Sequence, residues 1–195
     1  MKTKSIYERL DEILPRITEP SFRQSKGLGN EIGYHIFDYD PKYEMLVREH
    51  MAYITERVNT ENSEIYIREF DLYEVVLEIL QEKGFLEKNF EMEEKKGSDF
   101  VLNATKKALR LTLNNDLVVQ YISDRVKEND IVFLTGIGKA FPIIRSHTVL
   151  NTLQKRIDQV PVVMFFPGVY DGQELILFGE IKDDNYYRAF QLIDK

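Results

Sequence analysis

Residues 130–190 decide the fold: DIVFLTGIGKAFPIIRSHTVLNTLQ (130–154), VPVVMFFPGVYDG (160–172), LILFG (175–179) and KDDNYYRAF (182–190). Ile131 to Thr135 has almost no polar content over a strand's length, which predicts a central strand covered on both faces. A glycine turn follows, then a helix from about Arg145 to Ile157 with Val149, Leu150, Leu153 and Ile157 inward, then a second apolar strand from Pro161 to Phe166. Two apolar strands bridged by one amphipathic helix form a parallel βαβ unit, right-handed by the usual rule. The Asp171 and Gly172 pair with the short LILF run then predicts a C-terminal hairpin that gives the sheet an antiparallel edge.

The same alternation appears upstream. A strand over Gly33 to Phe37 ends at Asp38, and Pro41 suits the first turn of a helix whose stripe is Tyr43, Leu46, Val47, His50, Ile54 and Val58. Glu64 to Phe70 is a further strand, after which Asp71 is placed to cap a helix and Gly84 to stop it. At the N-terminus a docked amphipathic helix, 3–14, carries Ile6, Leu10, Ile13 and Leu14, with Ile17 beyond, and Pro15 and Pro20 punctuate its end. Ser25 to Glu31 (SKGLGNE) reads as a polar glycine loop, and residues 86–115 as helices joined by a mobile loop, because FEMEEKKGSD is charged and broken by glycine. The expectation is an α/β fold: three layers, a mostly parallel sheet with helices on both faces, in a single domain, 1–195.

The composition is that of a folded globular chain: 195 residues, 43% hydrophobic and 30% charged. Zero cysteines exclude disulfides, zinc ribbons, iron–sulfur ligation and thiol nucleophiles. The net charge of −7 argues against generic binding to a phosphate backbone. That charge is local, since between Glu61 and Asp99 twelve Asp and Glu face five Lys and Arg, and the rest of the chain balances. No apolar run approaches the roughly 18 residues of a membrane span, and the alternating start MKTKSIYERLDEIL is unlike a signal peptide, so a cytoplasmic protein is expected.

Several constellations invite chemistry and none completes a catalytic motif. Gly136, Gly138 and Lys139 follow a buried strand, where a glycine turn can cradle phosphate with backbone N–H groups. The phosphate-loop pattern would need glycine at Phe133 and a hydroxyl at Ala140, and the dinucleotide fingerprint would need glycine at Phe141. The simpler reading is a tight turn; the alternative is an anion or partner site. Arg145, Ser146, His147 and Asn151 gather at the start of the crossover helix, where Arg145 suits an anion and His147 a proton exchange, or Ser146 merely caps the helix. Asp38 and Asp40 with His35 and His50 suggest a metal only weakly, because the ligand spacing is missing and His50 lies on an apolar face. Asp183, Asp184, Tyr186, Tyr187 and Arg188 read either as a partner surface or as a salt-bridged docking helix capped by Asp184. Tyr170 and Asp171 in the hairpin join the ligand or partner candidates, and Lys106, Lys107 and Arg110 read as a solvated helix face.

Taken together, FLTGIGKAFPIIRSHTVLNTLQ, VPVVMFFPGVYDG and LFGEIKDDNYYRAF, with GLGNEIGYHIFDYDP upstream, resemble the BrxB family of bacteriophage exclusion (BREX) antiphage defence systems over essentially the whole chain. The resemblance implies a Rossmann-like or degenerate phosphate-loop NTPase-like fold. It also implies a cytoplasmic defence component without an assigned catalytic residue or cofactor, acting with the phosphatase-like protein PglZ and the ATPase BrxC. A non-catalytic adaptor binding other BREX proteins is therefore the expectation. The alternatives are a nucleotide-binding or hydrolysing protein using the Gly136 to Lys139 turn and, more weakly, a DNA-contacting subunit.

Overall fold

The computed structural model describes residues 3–23, 33–61, 64–182 and 189–195. The chain opens with three short helices, α1 (Ile6–Asp11), α2 (Ile13–Thr18) and α3 (Pro20–Arg23), and then enters β1 (Tyr34–Tyr39). A 3-10 turn at Pro41–Tyr43 leads into α4 (Glu44–Glu61), then β2 (Tyr66–Asp71) and α5 (Leu72–Glu82). The helices α6 (Leu86–Lys96), α7 (Ser98–Ala108) and α8 (Leu117–Ser123) precede β3 (Asp130–Thr135), the short α9 (Ile137–Ala140) and α10 (Ser146–Leu153). Four strands close the chain: β4 (Val162–Tyr170), β5 (Leu175–Leu177), β6 (Ile181–Lys182) and β7 (Phe190–Gln191).

The main sheet runs β2-β3-β4-β1-β7 and all its pairings are parallel. Residue parity divides the core in two. Tyr34, Ile36, Val132, Leu134, Val162 and Met164 face a cluster built with α5, α8 and α10. Their odd-numbered neighbours Phe37, Ile131, Phe133, Val163 and Phe165 face the helices α1, α2 and α4. A strand buried on both faces is apolar at nearly every position, and this is why the centres of β3 and β4 read as continuous apolar runs, while β1, also buried throughout, carries the buried polar residues His35 and Asp38. The edge strand β2 buries only Ile67 and Phe70 and leaves its other residues exposed or half-buried. The three-layer, mostly parallel α/β expectation is met.

Local details differ from expectation in the N-terminal helix and in the charged stretch after Leu86. The N-terminal helix is two helices, because it breaks at Glu12; Pro15 then lies in the first turn of α2, where its missing N–H costs nothing. The charged stretch after Leu86 is helical almost throughout, and a single glycine, Gly97 at φ +81°, replaces the expected loop between α6 and α7. The hairpin joins the sheet as an antiparallel edge, as expected, through the end of β4. β4 is nine residues long, pairs with β1 up to Pro167, and turns its last residues, Gly168 to Tyr170, to antiparallel β5. Gly168 permits this closeness, since a Cβ there would meet the Ile176 carbonyl oxygen at 2.1 Å. Beyond the hairpin, β7 adds a parallel edge beside β1. The expected SKGLGNE loop, and Asp183, Asp184, Tyr186, Tyr187 and Arg188, lie outside the described residues.

One core feature has a pH signature. His35 on β1 is buried between the rings of Phe22, 4.6 Å away centroid to centroid, and Phe190, 6.0 Å away. Burial, aided by the positive charge of Arg16, pulls its pKa down to about 4. The unfolded chain takes up this proton near pH 6.5 and the folded chain only near 4, so stability is lost as pH falls through that window. By linkage the loss is about 2 kcal/mol at pH 5. Urea denaturation at pH 7 and pH 5 should show it, and His35→Phe should remove that share of the slope; an unchanged slope in the variant would refute the assignment.

Candidate functional site

In parallel α/β sheets ligands sit at the carboxyl ends of the strands, and the sequence candidates were drawn largely from that edge. Here β2 delivers Asp71 and β3 delivers Thr135 and Gly136 to adjacent places. Asp71 caps α5, its Oδ1 accepting the N–H groups of Tyr73 at 3.1 Å and Glu74 at 3.3 Å. Its Oδ2 lies 2.5 Å from Lys139 Nζ, and Lys139 also reaches Glu74 at 3.3 Å. Burial alone would lower the Lys139 pKa, but the bond to Asp71 and the charges of Asp71 and Glu74 raise it above its ordinary value.

Gly136 adopts φ +68°, and a Cβ built on it would fall 2.1 Å from Asp71 Oδ1. The turn therefore wraps the protein's own carboxylate. Gly138, for its part, lies beneath the Phe178 ring, 2.9 Å from where its Cβ would be. The glycines of the supposed anion loop thus accommodate an internal side chain and an aromatic ring, which accounts for them without a bound phosphate. The small cleft beside the turn, about 170 Å³, is lined by Glu44, Glu69 and Asp71 against one guanidinium, Arg48. Thr135 donates to Glu69 at 2.8 Å, and Tyr39 donates to Glu44 at 2.6 Å; burial and then that bond raise the tyrosine's pKa. This concentration of carboxylates opposes a polyphosphate.

Further along the same edge, Asp38 at the end of β1 is almost fully buried and collects four groups. Arg9 of α1 donates to its carboxylate at 3.0 Å and to its carbonyl at 2.8 Å, and Arg9 also lies over the Phe37 ring. The Tyr170 N–H donates at 2.9 Å, the Gln191 side chain at 3.0 Å, and Lys195 Nζ stands 2.6 Å away. Asp38 thereby ties α1, β4, β7 and the final residues to the centre of the sheet. The metal reading dissolves with this: Asp40 pairs with Lys42 at 2.7 Å, His50 Nε2 bonds to the Leu10 carbonyl at 2.9 Å, and His35 is enclosed by aromatic rings. Among the described residues no group of three or more His, Cys, Asp or Glu could hold a metal ion.

The remaining candidates separate. Arg145, exposed, occupies the N-cap position of α10, so that Ser146 is the first helical residue and not the cap. His147 is half-buried in that first turn and Asn151 is exposed one turn on. Arg145 lines a groove with residues of α7 and the loop after it, whereas Gly136 lines the cleft beside Asp71, so the turn and the helix do not share one site. Tyr170 is buried, its hydroxyl donating to the Ala189 carbonyl at 2.6 Å, and offers no ring to a partner. Asp171 shapes the hairpin turn by accepting the N–H groups of Gln173 and Glu174, which hold its pKa below the usual range. Arg9 was not among the candidates. Its position on the apolar stripe, between Ile6 and Ile13, is the signal that marks it.

Fold and edge define a mostly parallel three-layer α/β protein whose ligand-facing rim carries internal ion pairs. The BREX protein BrxB family model matches residues 68–192. A BREX protein BrxB from Bacillus cereus (strain H3081.97) is 76% identical over 192 residues, covering 98% of this chain and 100% of the relative. Another from Escherichia coli O9:H4 (strain HS) is 34% identical over 187 residues, covering 95% and 90% respectively. The chain belongs to the BrxB family. No solved structure matches it. Among the described residues no helix is long and apolar enough to cross a membrane.

Proposed function

We propose that the chain works in BREX phage defence as a non-catalytic adaptor that binds other BREX proteins, with PglZ and BrxC as the partners the family resemblance implies. The observation that carries this reading is the set of ion pairs at the carboxyl edge. Asp71 holds the Gly136 turn and Lys139, and Asp38 holds Arg9 and Lys195, so the ionic groups at the rim where this architecture binds small ligands are paired with one another. A side chain already engaged in such a pair is a poor general acid, base or phosphate ligand. What such an edge retains is rigidity, which suits a protein presenting surfaces to others.

Two measurements test the proposal. Tagged protein isolated from cells expressing the complete system should bring PglZ or BrxC with it; elution as a lone monomer would overturn the adaptor reading. Calorimetric titration with nucleotide and magnesium should give no heat at millimolar ligand. Binding that Lys139→Ala abolishes would establish the nucleotide alternative instead.

A further inference from the structure

We propose that the outer flank of β2 is a strand-addition site, where an extended segment of a partner protein pairs with Glu69 and sets a cation beside its carboxylate. The proposal rests on the adaptor reading and gives the partner's binding mode. β2 ends the strand order of the main sheet, so β3 lies on one side of it and, among the described residues, no strand lies on the other. Along a strand the N–H and C=O of one residue point to the same side, and successive residues alternate sides. The Tyr66 N–H donates to the Asn129 carbonyl at 3.1 Å, toward β3. Tyr66, Arg68 and Phe70 therefore bond inward, and Ile67 and Glu69 present both main-chain groups to the outer flank.

A side chain already uses that flank as a strand would. Asn59, near the end of α4, accepts the Ile67 N–H with its Oδ1 at 2.7 Å and donates from its Nδ2 to the Ile67 carbonyl at 3.0 Å. The carboxamide stands in for one rung of a neighbouring strand and satisfies both groups. The next rung is open. Glu69 is exposed, its side chain accepts the Thr135 hydroxyl at 2.8 Å, and among the described residues nothing bonds to its main-chain N–H or carbonyl. β2 also carries neither the lysine nor the proline that commonly blunts a free edge.

The residues of the flank select among occupants. In an antiparallel pair of two copies, the register centred on Glu69 sets two carboxylates directly opposite each other, and any register that brings Ile67 into the ladder meets Asn59 in both copies. A second copy is thus disfavoured where a different protein is not. Opposite Glu69 a lysine or arginine is preferred, because charges of opposite sign stabilise a cross-strand pair. On the other face Tyr66, 45% exposed with the Arg68 guanidinium over its ring, gives an apolar side chain a surface to cover. The segment that fits alternates a basic residue on the Glu69 face with an apolar one on the Tyr66 face.

The test is residue-resolved hydrogen exchange on the full chain, alone and in the complex recovered from cells expressing the complete BREX system. The Glu69 amide should exchange freely in the chain alone and at least about tenfold more slowly in the complex, while the inward Arg68 and Phe70 amides are protected in both. Glu69→Pro removes the outward N–H without breaking the β3 ladder, and Glu69→Arg keeps the N–H but reverses the charge. Each should lower recovery of the partner about tenfold, with protected Arg68 and Phe70 amides showing that β2 is intact. A Glu69 amide that stays fast in the complex, with the partner recovered equally by wild type and both variants, overturns the strand-addition site and leaves the adaptor reading standing. Slowing in the chain alone that grows with its concentration overturns it in favour of a second copy. Absence of any co-purifying BREX protein with wild type refutes the adaptor reading itself, and the site with it.

Discussion

Asp38→Ala is expected to destabilise the protein by about 3–5 kcal/mol, the range found when one member of a buried ion pair is removed. The cause is what remains. Arg9 is 7% exposed, packed over Phe37, and without Asp38 its guanidinium would keep only the backbone carbonyl of residue 38. The Tyr170 N–H would lose its acceptor at the point where β4 leaves the main sheet, and β7 would lose the bond from Gln191. Asp38→Asn retains an acceptor oxygen and should cost less. Lys195→Met should cost under about 1 kcal/mol, because the Lys195 side chain is 43% exposed and solvent screens its pair. Urea denaturation of the three variants checks the order. A wild-type midpoint for Asp38→Ala, or a larger loss for Lys195→Met, would show that Asp38 does not tie these elements together.

The architecture was readable because its signals are local. Ile131 to Leu134 and Val162 to Phe166 announce central strands by being apolar at every position, and Asp71 announces a helix start by its place between a strand and an apolar stripe. Failures came where a residue's role depends on something distant. Asp38 beside Asp40 resembles half a metal site until Arg9, 29 residues before it, and Lys195, at the far end of the chain, are seen to converge on its carboxylate. Tyr170 looks like a surface aromatic in a hairpin, yet β4 continues past Pro167 with its alternation intact and turns that ring inward. The charged run through α6 resembles a loop because a helix that buries none of its residues shows no strong apolar stripe. Lys106, Lys107 and Arg110 read as an ordinary solvated face because nothing near them in sequence shows that Arg145 lines the same groove.

The Gly136 turn is the sharpest test of how the carboxyl edge is closed. Gly136→Ala should cost about 2–4 kcal/mol, combining the strain of a Cβ at positive φ with displacement of the Asp71 carboxylate from its cap and ion pair. The two contributions separate in a double-mutant cycle. Asp71→Ala alone loses the α5 cap and the Lys139 pair, and it also removes the atoms that the new Cβ would strike at 2.1 Å. In the Asp71→Ala background Gly136→Ala should therefore cost only the backbone strain, about 1–2 kcal/mol, so the two substitutions should fall short of additivity by 1 kcal/mol or more, as expected for groups in direct contact. Strict additivity would mean that the turn and the carboxylate are energetically independent. The edge would then be open to a ligand, and Lys139 would have to be reconsidered as a phosphate contact. A coupling of the expected size and sign instead makes Asp71 the occupant of the turn, and leaves the chain's recognition chemistry to the surfaces away from the sheet's carboxyl edge.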